Sequence, residues 1–193
     1  MARSLSRKHT PQILSQLRII GGQWRGRKLQ FAPVEGLRPT GDRLRETLFN
    51  WLQFDLHGAH CLDLFAGSGA LGLEALSRGA RSVDFVELNT HAARTLTEQL
   101  KFLGAEGALV HNTKAYDFLG SGDKKYDIVF VDPPFADDLW QESLDTLSAR
   151  LAPGALIYVE TPRNTVPSVL TSWYLEKEKG AGRVCMRLYR HAE

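Results

Sequence analysis

Cys61-Leu62-Asp63-Leu64-Phe65-Ala66-Gly67-Ser68-Gly69-Ala70-Leu71-Gly72 sets an apolar run against a glycine-rich turn and a second apolar run. The pattern predicts a strand over 61–65, a turn at Gly67 to Gly69 and a helix over 70–78. Without a Cβ, Gly67 and Gly69 let backbone N–H groups approach a ligand at the positive end of that helix. Twenty positions after Gly67, Glu87 closes the next apolar run, where a carboxylate can accept both hydroxyls of a ribose. Gly67-x-Gly69-x-x-Gly72 also fits the dinucleotide fingerprint. The pair points to a cofactor containing adenosine and does not by itself choose one.

Outward from this turn the chain alternates. Strands are predicted over 61–65, 83–87, 108–111, 126–132, 155–160, 173–179 and 184–190. Helices are predicted between them over 70–78, 90–103 and 138–151, with Ala93, Leu96, Leu100 and Leu103 on one face of the second. Regular β-α-β order calls for a mostly parallel sheet covered on both faces. The last two strands, joined at Gly180-Ala181-Gly182, read as an antiparallel hairpin. The expected fold is α/β, with a seven-stranded, mostly parallel, Rossmann-like sheet that ends in an antiparallel hairpin. Ahead of it, residues 1–17 read as a mobile basic arm. A basic hairpin and loop are expected over 18–40, with Gly21, Gly22 or Gly26 at its turn, and the main domain over 41–193. A helix over 42–56 carries Leu44, Leu48 and Leu52 at helical spacing, with Thr40 or Asp42 as its cap.

Composition narrows the class. The 193 residues are 43% hydrophobic, enough to fill a core. No apolar stretch nears the roughly 20 residues of a membrane span, and the basic N-terminus lacks an apolar h-region. Cys61 and Cys185 stand apart in apolar runs, which fits buried thiols in a reducing cytoplasm; no metal-ligand spacing occurs. Net charge is +2, yet the segment ending at Arg45 holds ten bases against two acids, or +8, leaving −6 for the rest. Such asymmetry suggests phosphate contacts gathered in one region. Trp24 among those bases either stacks on a nucleic acid or staples the hairpin.

Asp63 favours S-adenosylmethionine as the cofactor. A carboxylate four residues before Gly67 attracts the amino group of a methionine tail and repels a pyrophosphate. Its structural alternative is a cap on the helix end. Phe65, Ala66 and Ser68 share the turn, Leu88 follows Glu87, and Thr113 and Ala115 follow the third strand, where an adenine ring would lie.

Tyr126-Asp127-Ile128-Val129-Phe130-Val131-Asp132-Pro133-Pro134-Phe135 ends a buried strand in a carboxylate, two prolines and an aromatic ring. An exocyclic amine on a purine is a poor nucleophile because its lone pair is delocalised. Accepting its two N–H bonds, one at Asp132 and one at the Pro133 carbonyl, turns the lone pair out of conjugation. Pro134 stiffens the loop, and Phe135 offers a stacking face worth ~1–3 kcal/mol. Guanine presents N1–H and N2–H side by side, which suits an acceptor-only aspartate; adenine pairs a donor with an acceptor. Guanine N2 is therefore the expected target.

Four stretches resemble one family: Arg18-Ile19-Ile20-Gly21-Gly22-Gln23-Trp24-Arg25-Gly26-Arg27, the run from Leu37-Arg38-Pro39-Thr40-Gly41-Asp42-Arg43 to Leu52, the run from Leu62 to Ala75, and Phe130-Val131-Asp132-Pro133-Pro134-Phe135. They are similar to the bacterial 16S ribosomal RNA guanine-N2 methyltransferases of the RsmD type, over about residues 17–160 and more loosely to the end. Asn89 stands where relatives often carry aspartate. The resemblance implies methylation of small-subunit RNA on an assembled or assembling particle. It carries over Asp132 to Phe135 as the target-amine loop, and Gly67 to Gly69 with Glu87 as cofactor contacts. A monomer is expected. RNA contacts are expected at Arg25, Arg27, Lys28, Arg38, Arg43 and Arg45. Because Arg43 and Arg45 cannot share a helix face, one of them can instead pair within the protein. Other readings are an adenine-N6 methyltransferase, a nicotinamide dehydrogenase and a non-catalytic RNA-binding module.

Overall fold

The computed structural model describes residues 15–31, 41–134 and 139–192. A short antiparallel pair comes first, β1 (Ser15–Arg18) with β2 (Lys28–Phe31), in the register Arg18↔Lys28. Its strand thus begins at Ser15, inside the stretch expected as an arm. The connection turns at Gly22 and Gly26, both with positive φ. Helix α1 (Asp42–Trp51) follows, then β3 (His60–Asp63), α2 (Ala70–Ser77), β4 (Ser82–Val86) and α3 (Thr90–Leu103). Next come β5 (Ala108–His111), α4 (Ala115–Gly120), β6 (Tyr126–Val131) and α5 (Leu139–Leu147). The chain closes with β7 (Leu151–Pro162), β8 (Trp173–Ala181) and β9 (Val184–His191).

Seven strands form one sheet in the order β5-β4-β3-β6-β7-β9-β8. β5 to β7 run parallel, and β9 lies antiparallel between β7 and β8. Successive strands from β3 step one way to β5 and then back across to β6. The switch point, where open α/β sheets bind ligands, is therefore between β3 and β6.

Each face of the sheet buries its own core. Phe85, Phe130 and Tyr158 pack beneath α1, α2 and α3, through Leu48, Phe49, Leu73 and Leu96. Val129, Val131 and Ile157 face α4 and α5, through Phe118, Trp140 and Leu144. α3 has the limits its pattern predicts because both ends are marked. Asn89 accepts the His91 and Ala92 N–H groups, each at 3.0 Å, and Gly104 closes the helix at φ 62°. α2 is buried all round, because the sheet covers one side and the β1–β2 connection covers the other.

Some boundaries differ from expectation. α1 ends at Trp51, and a turn through Asp55 replaces its last expected stretch. Its N-cap is Gly41, without a side-chain cap bond; Asp42 is the first helical residue and holds Arg45 at 2.7 Å. Thr40 lies outside the described residues. α5 passes into a 3-10 turn at Ser148–Arg150, and β7 begins four residues earlier than expected. A register jump from Tyr126↔Leu151 to Ile128↔Leu156 absorbs the extra residues. Cys61 and Cys185 are free and buried. No helix among the described residues is long and apolar enough to cross a membrane.

Candidate functional site

β3 and β6 are parallel neighbours, with Asp63 level with Phe130 and Leu64 N–H bonded to the Phe130 carbonyl at 3.1 Å. Two or three residues beyond that rung, each strand leaves the sheet at its carboxyl edge. The glycine turn follows β3, and Asp132-Pro133-Pro134 follows β6. The two most specific motifs of the sequence therefore emerge side by side on one edge. Phe135 lies outside the described residues.

The turn is tied down on three sides. Ala66 N–H bonds the Val86 carbonyl of β4 at 2.9 Å. Gly67, at φ 53°, donates its N–H to Oε2 of Glu87 at 2.7 Å, and Oε1 accepts the Asn89 N–H at 2.6 Å. Gly69, at φ 77°, caps α2, where a Cβ would lie 2.5 Å from Leu96 Cδ1. Gly72 packs α2 onto the sheet; a Cβ there would stand 2.2 Å from the Phe85 ring. Phe65 and Ser68 are half-buried and Ala66 is buried.

Asp63 is 2% exposed, and its Oδ2 accepts the Gly72 N–H at 2.9 Å. The helix-cap role weighed for it is thus present in the fold. Burial, opposed by this bond and reinforced by the Glu87 charge, lifts its carboxyl to about 7. A nearby ammonium would reverse that lift, so the group suits a cationic ligand tail.

Leu88 is 63% exposed on the loop after β4, and Thr113 and Ala115 lie at the end of β5 and the start of α4. The Asn112 amide bridges these segments, donating to the carbonyls of Glu87 (2.8 Å) and Leu88 (2.9 Å). Asn112 was not singled out as a site residue; its polar character directly after a strand was the available signal. Beside Asp132, the ladder pairs Phe130↔Tyr158 and Val131↔Val159, so Glu160 stands next along β7. Its Oε2 accepts the Tyr158 hydroxyl at 2.8 Å. Burial raises both groups, and the Glu160 and Asp132 charges push Tyr158 further. Neither was singled out, because only the register brings them to Asp132.

The arginines divide. Arg25, Arg27, Lys28 and Arg43 are exposed, and Arg38 lies outside the described residues. Arg45 corrects its expected RNA role. It is 1% exposed, donates to the Arg18 carbonyl at 2.8 Å and faces Glu74 at 3.8 Å. Helical spacing turns it inward, toward a carboxylate buried on α2. Trp24, 7% exposed, is a staple.

Residues 17–190 match the family described as "Conserved hypothetical protein 95". "Ribosomal RNA small subunit methyltransferase D" of Escherichia coli strain K12 is 51% identical over 178 residues, 91% of this chain and 90% of that protein. The protein of the same name from Haemophilus influenzae is 47% identical over 188 residues, 94% of this chain and 97% of its own length. A solved structure described as a putative methyltransferase yhhF from Escherichia coli superposes with a TM-score of 0.85. It shares 49% identity and covers 92% of this chain and 99% of its own.

Proposed function

Because this chain belongs to the family described as Conserved hypothetical protein 95, we propose that it methylates the exocyclic N2 of a guanine in 16S ribosomal RNA. The donor is S-adenosylmethionine, and the setting is the small-subunit particle in the cytoplasm. The relatives' names support ribosomal RNA as the substrate class. The observation that carries the chemistry is the β3–β6 neighbourhood, since one sheet edge holds both the glycine turn and the Asp132 loop.

The residues present fit the donor. Gly67 and Gly69 leave room for close backbone approach, Glu87 offers oxygens to a ribose, and Asp63 offers negative charge to a methionine ammonium. When bound, S-adenosylmethionine supplies a methyl group on positively charged sulfur. The protein's part is orientation and electrostatics. Asp132 and the Pro133 carbonyl accept the amine's N–H bonds and aim its lone pair, and Phe135 stacks on the base. The amine's surplus proton would pass to Asp132 or water. Arg25, Arg27, Lys28, Arg38 and Arg43 supply phosphate contacts.

Radiolabelled S-adenosylmethionine incubated with small-subunit particles and with free 16S RNA, followed by nucleoside analysis, tests the reading. N2-methylguanine is the expected product. N6-methyladenine would reject the guanine assignment, and selective binding of NAD over S-adenosylhomocysteine would reject the whole class.

A further inference from the structure

Phe102, on the last turn of α3, is 69% exposed, and the Arg27 guanidinium lies 5.9 Å from its ring centroid. Large aromatics in solvent are informative when they coincide with fixed positive charge, because a ring beside a guanidinium is a stacking platform for a nucleobase. Lys101 is exposed next to it, and Arg25 and Lys28 flank Arg27. Among the described residues, no carboxylate pairs with any of these four cations. Glu98, one turn back on α3, is taken by Arg94 at 3.1 Å.

The Arg27 backbone is held firmly. Ile19 N–H bonds the Arg27 carbonyl at 3.0 Å, and Gly26 N–H bonds the Ile19 carbonyl at 2.9 Å. The connection is latched onto α2 as well. The Glu74 carboxylate accepts the Ile20 and Gly21 N–H groups at 2.9 and 2.7 Å, and Ser77 Oγ accepts the Trp24 N–H at 3.0 Å. At Gly22 a Cβ would fall 1.8 Å from the Ser77 carbonyl oxygen, so the strap lies directly on the helix. Glu74 and Ser77 are thus positioning residues for the charges above them. α3 starts beside Glu87 at the candidate site, and Phe102 stands thirteen residues past the Asn89 cap. At 1.5 Å per residue this places it about 20 Å along the helix from that edge.

We propose that Phe102, Arg27 and Lys101 form a second RNA-docking surface, distant from the reacting base, in which an unpaired base stacks on Phe102 and adjoining phosphates meet the two cations. The proposal rests on the RNA-methyltransferase reading. The segment up to Arg45 carries +8 while the rest of the chain carries −6, so the surface complements a polyanion. A trinucleotide, with about 3.4 Å per stacked step, cannot bridge the two places.

Binding of protein-free 16S RNA, of a guanine-centred RNA trinucleotide and of small-subunit particles is compared for wild type, Phe102→Ala, Phe102→Trp and Arg27→Gln. Phe102→Ala is expected to weaken 16S RNA binding roughly tenfold, with Phe102→Trp restoring it. Arg27→Gln is expected to lower the salt slope by about one. In Phe102→Ala, trinucleotide and S-adenosylhomocysteine binding stay as in wild type. Unchanged 16S RNA affinity in Phe102→Ala overturns the proposal. So does a loss seen with particles and not with free RNA, which would make the face a protein contact. Failure of the underlying reading is separate: wild type itself would yield no N2-methylguanine.

Discussion

Gly72 donates its N–H to Oδ2 of Asp63 across 2.9 Å, joining the first turn of α2 to the end of β3 inside the protein. Burial, helped by the Glu87 charge and opposed by this bond, lifts the Asp63 carboxyl to about 7 from 3.8. A folded-state value above the unfolded one means the native state holds the proton more tightly. Its contribution to stability is then full below about pH 4 and is lost as pH rises through about 7. A cationic ligand tail favours the ionised form, so binding runs the other way. Between pH 6 and 8 the ionised fraction grows from about one tenth to nine tenths, and affinity for S-adenosylhomocysteine should rise roughly tenfold. Calorimetry at fixed ionic strength measures this. Asp63→Asn keeps an oxygen for Gly72 and should flatten the profile; an equally steep profile in that variant would remove Asp63 from cofactor binding.

Asp132 follows β6 at the edge shared with the glycine turn, and that turn is held to Glu87 through the Gly67 N–H. Asp132→Ala should therefore leave S-adenosylhomocysteine affinity within twofold. Turnover should fall by a factor of roughly 10²–10³, the usual cost of removing a group that orients and stabilises charge at a reacting atom. Single-turnover methyl transfer on small-subunit particles measures the chemical step. A turnover near wild type would take Asp132 out of the reaction.

The parts of this fold legible in the sequence were those governed by local rules. α3 was bounded correctly because Asn89 and Gly104 mark its ends and its apolar face repeats at helical spacing. β5 matched because a short apolar run between turns leaves little choice. α4 was not foreseen: its six residues are too few to display a period, and no side chain caps it. β7 begins early because pairing with β6 recruits Leu151 across a register jump, a long-range effect. In the candidate site, the two motifs were legible because turn chemistry is local. Glu160 was not, since it reaches the site through strand order. Arg45 was misplaced because its partner Glu74 is 29 positions away and only the packing of α1 against α2 brings them together.

Gly72 is a packing glycine, and its replacement separates shape from conformational strain. Its φ is ordinary for a helix, unlike that of Gly69, so the argument concerns space alone. A Cβ there would meet the Phe85 ring at 2.2 and 2.7 Å and Val83 Cγ1 at 2.9 Å. All three belong to the sheet beneath α2 and cannot swing aside without disturbing a dense core. Gly72→Ala should destabilise by roughly 1–3 kcal/mol, read as a lower thermal midpoint. Cofactor affinity should drop with it, because α2 and the turn before it move together. A stability equal to wild type would mean the helix lifts freely from the sheet.

Arg43 and Arg45 make opposite demands on the same helix, and two variants should part them. Arg45 is closed inside against Asp42, Glu74 and the Arg18 carbonyl. Truncating it removes the bonds to Asp42 and the Arg18 carbonyl, while the buried Glu74 carboxylate keeps Arg78 at 2.7 Å, so the cost should be roughly 1–3 kcal/mol. The salt slope of RNA binding, measured at a temperature where the variant is folded, should not change. Arg43 is exposed on the opposite face, so Arg43→Ala should leave the thermal midpoint within about a degree and flatten the salt slope by about one. Equilibrium denaturation and salt-titrated RNA binding on both variants give the four readings. If Arg45→Ala lowers the salt slope while Arg43→Ala does not, the inward and outward assignments are the wrong way round.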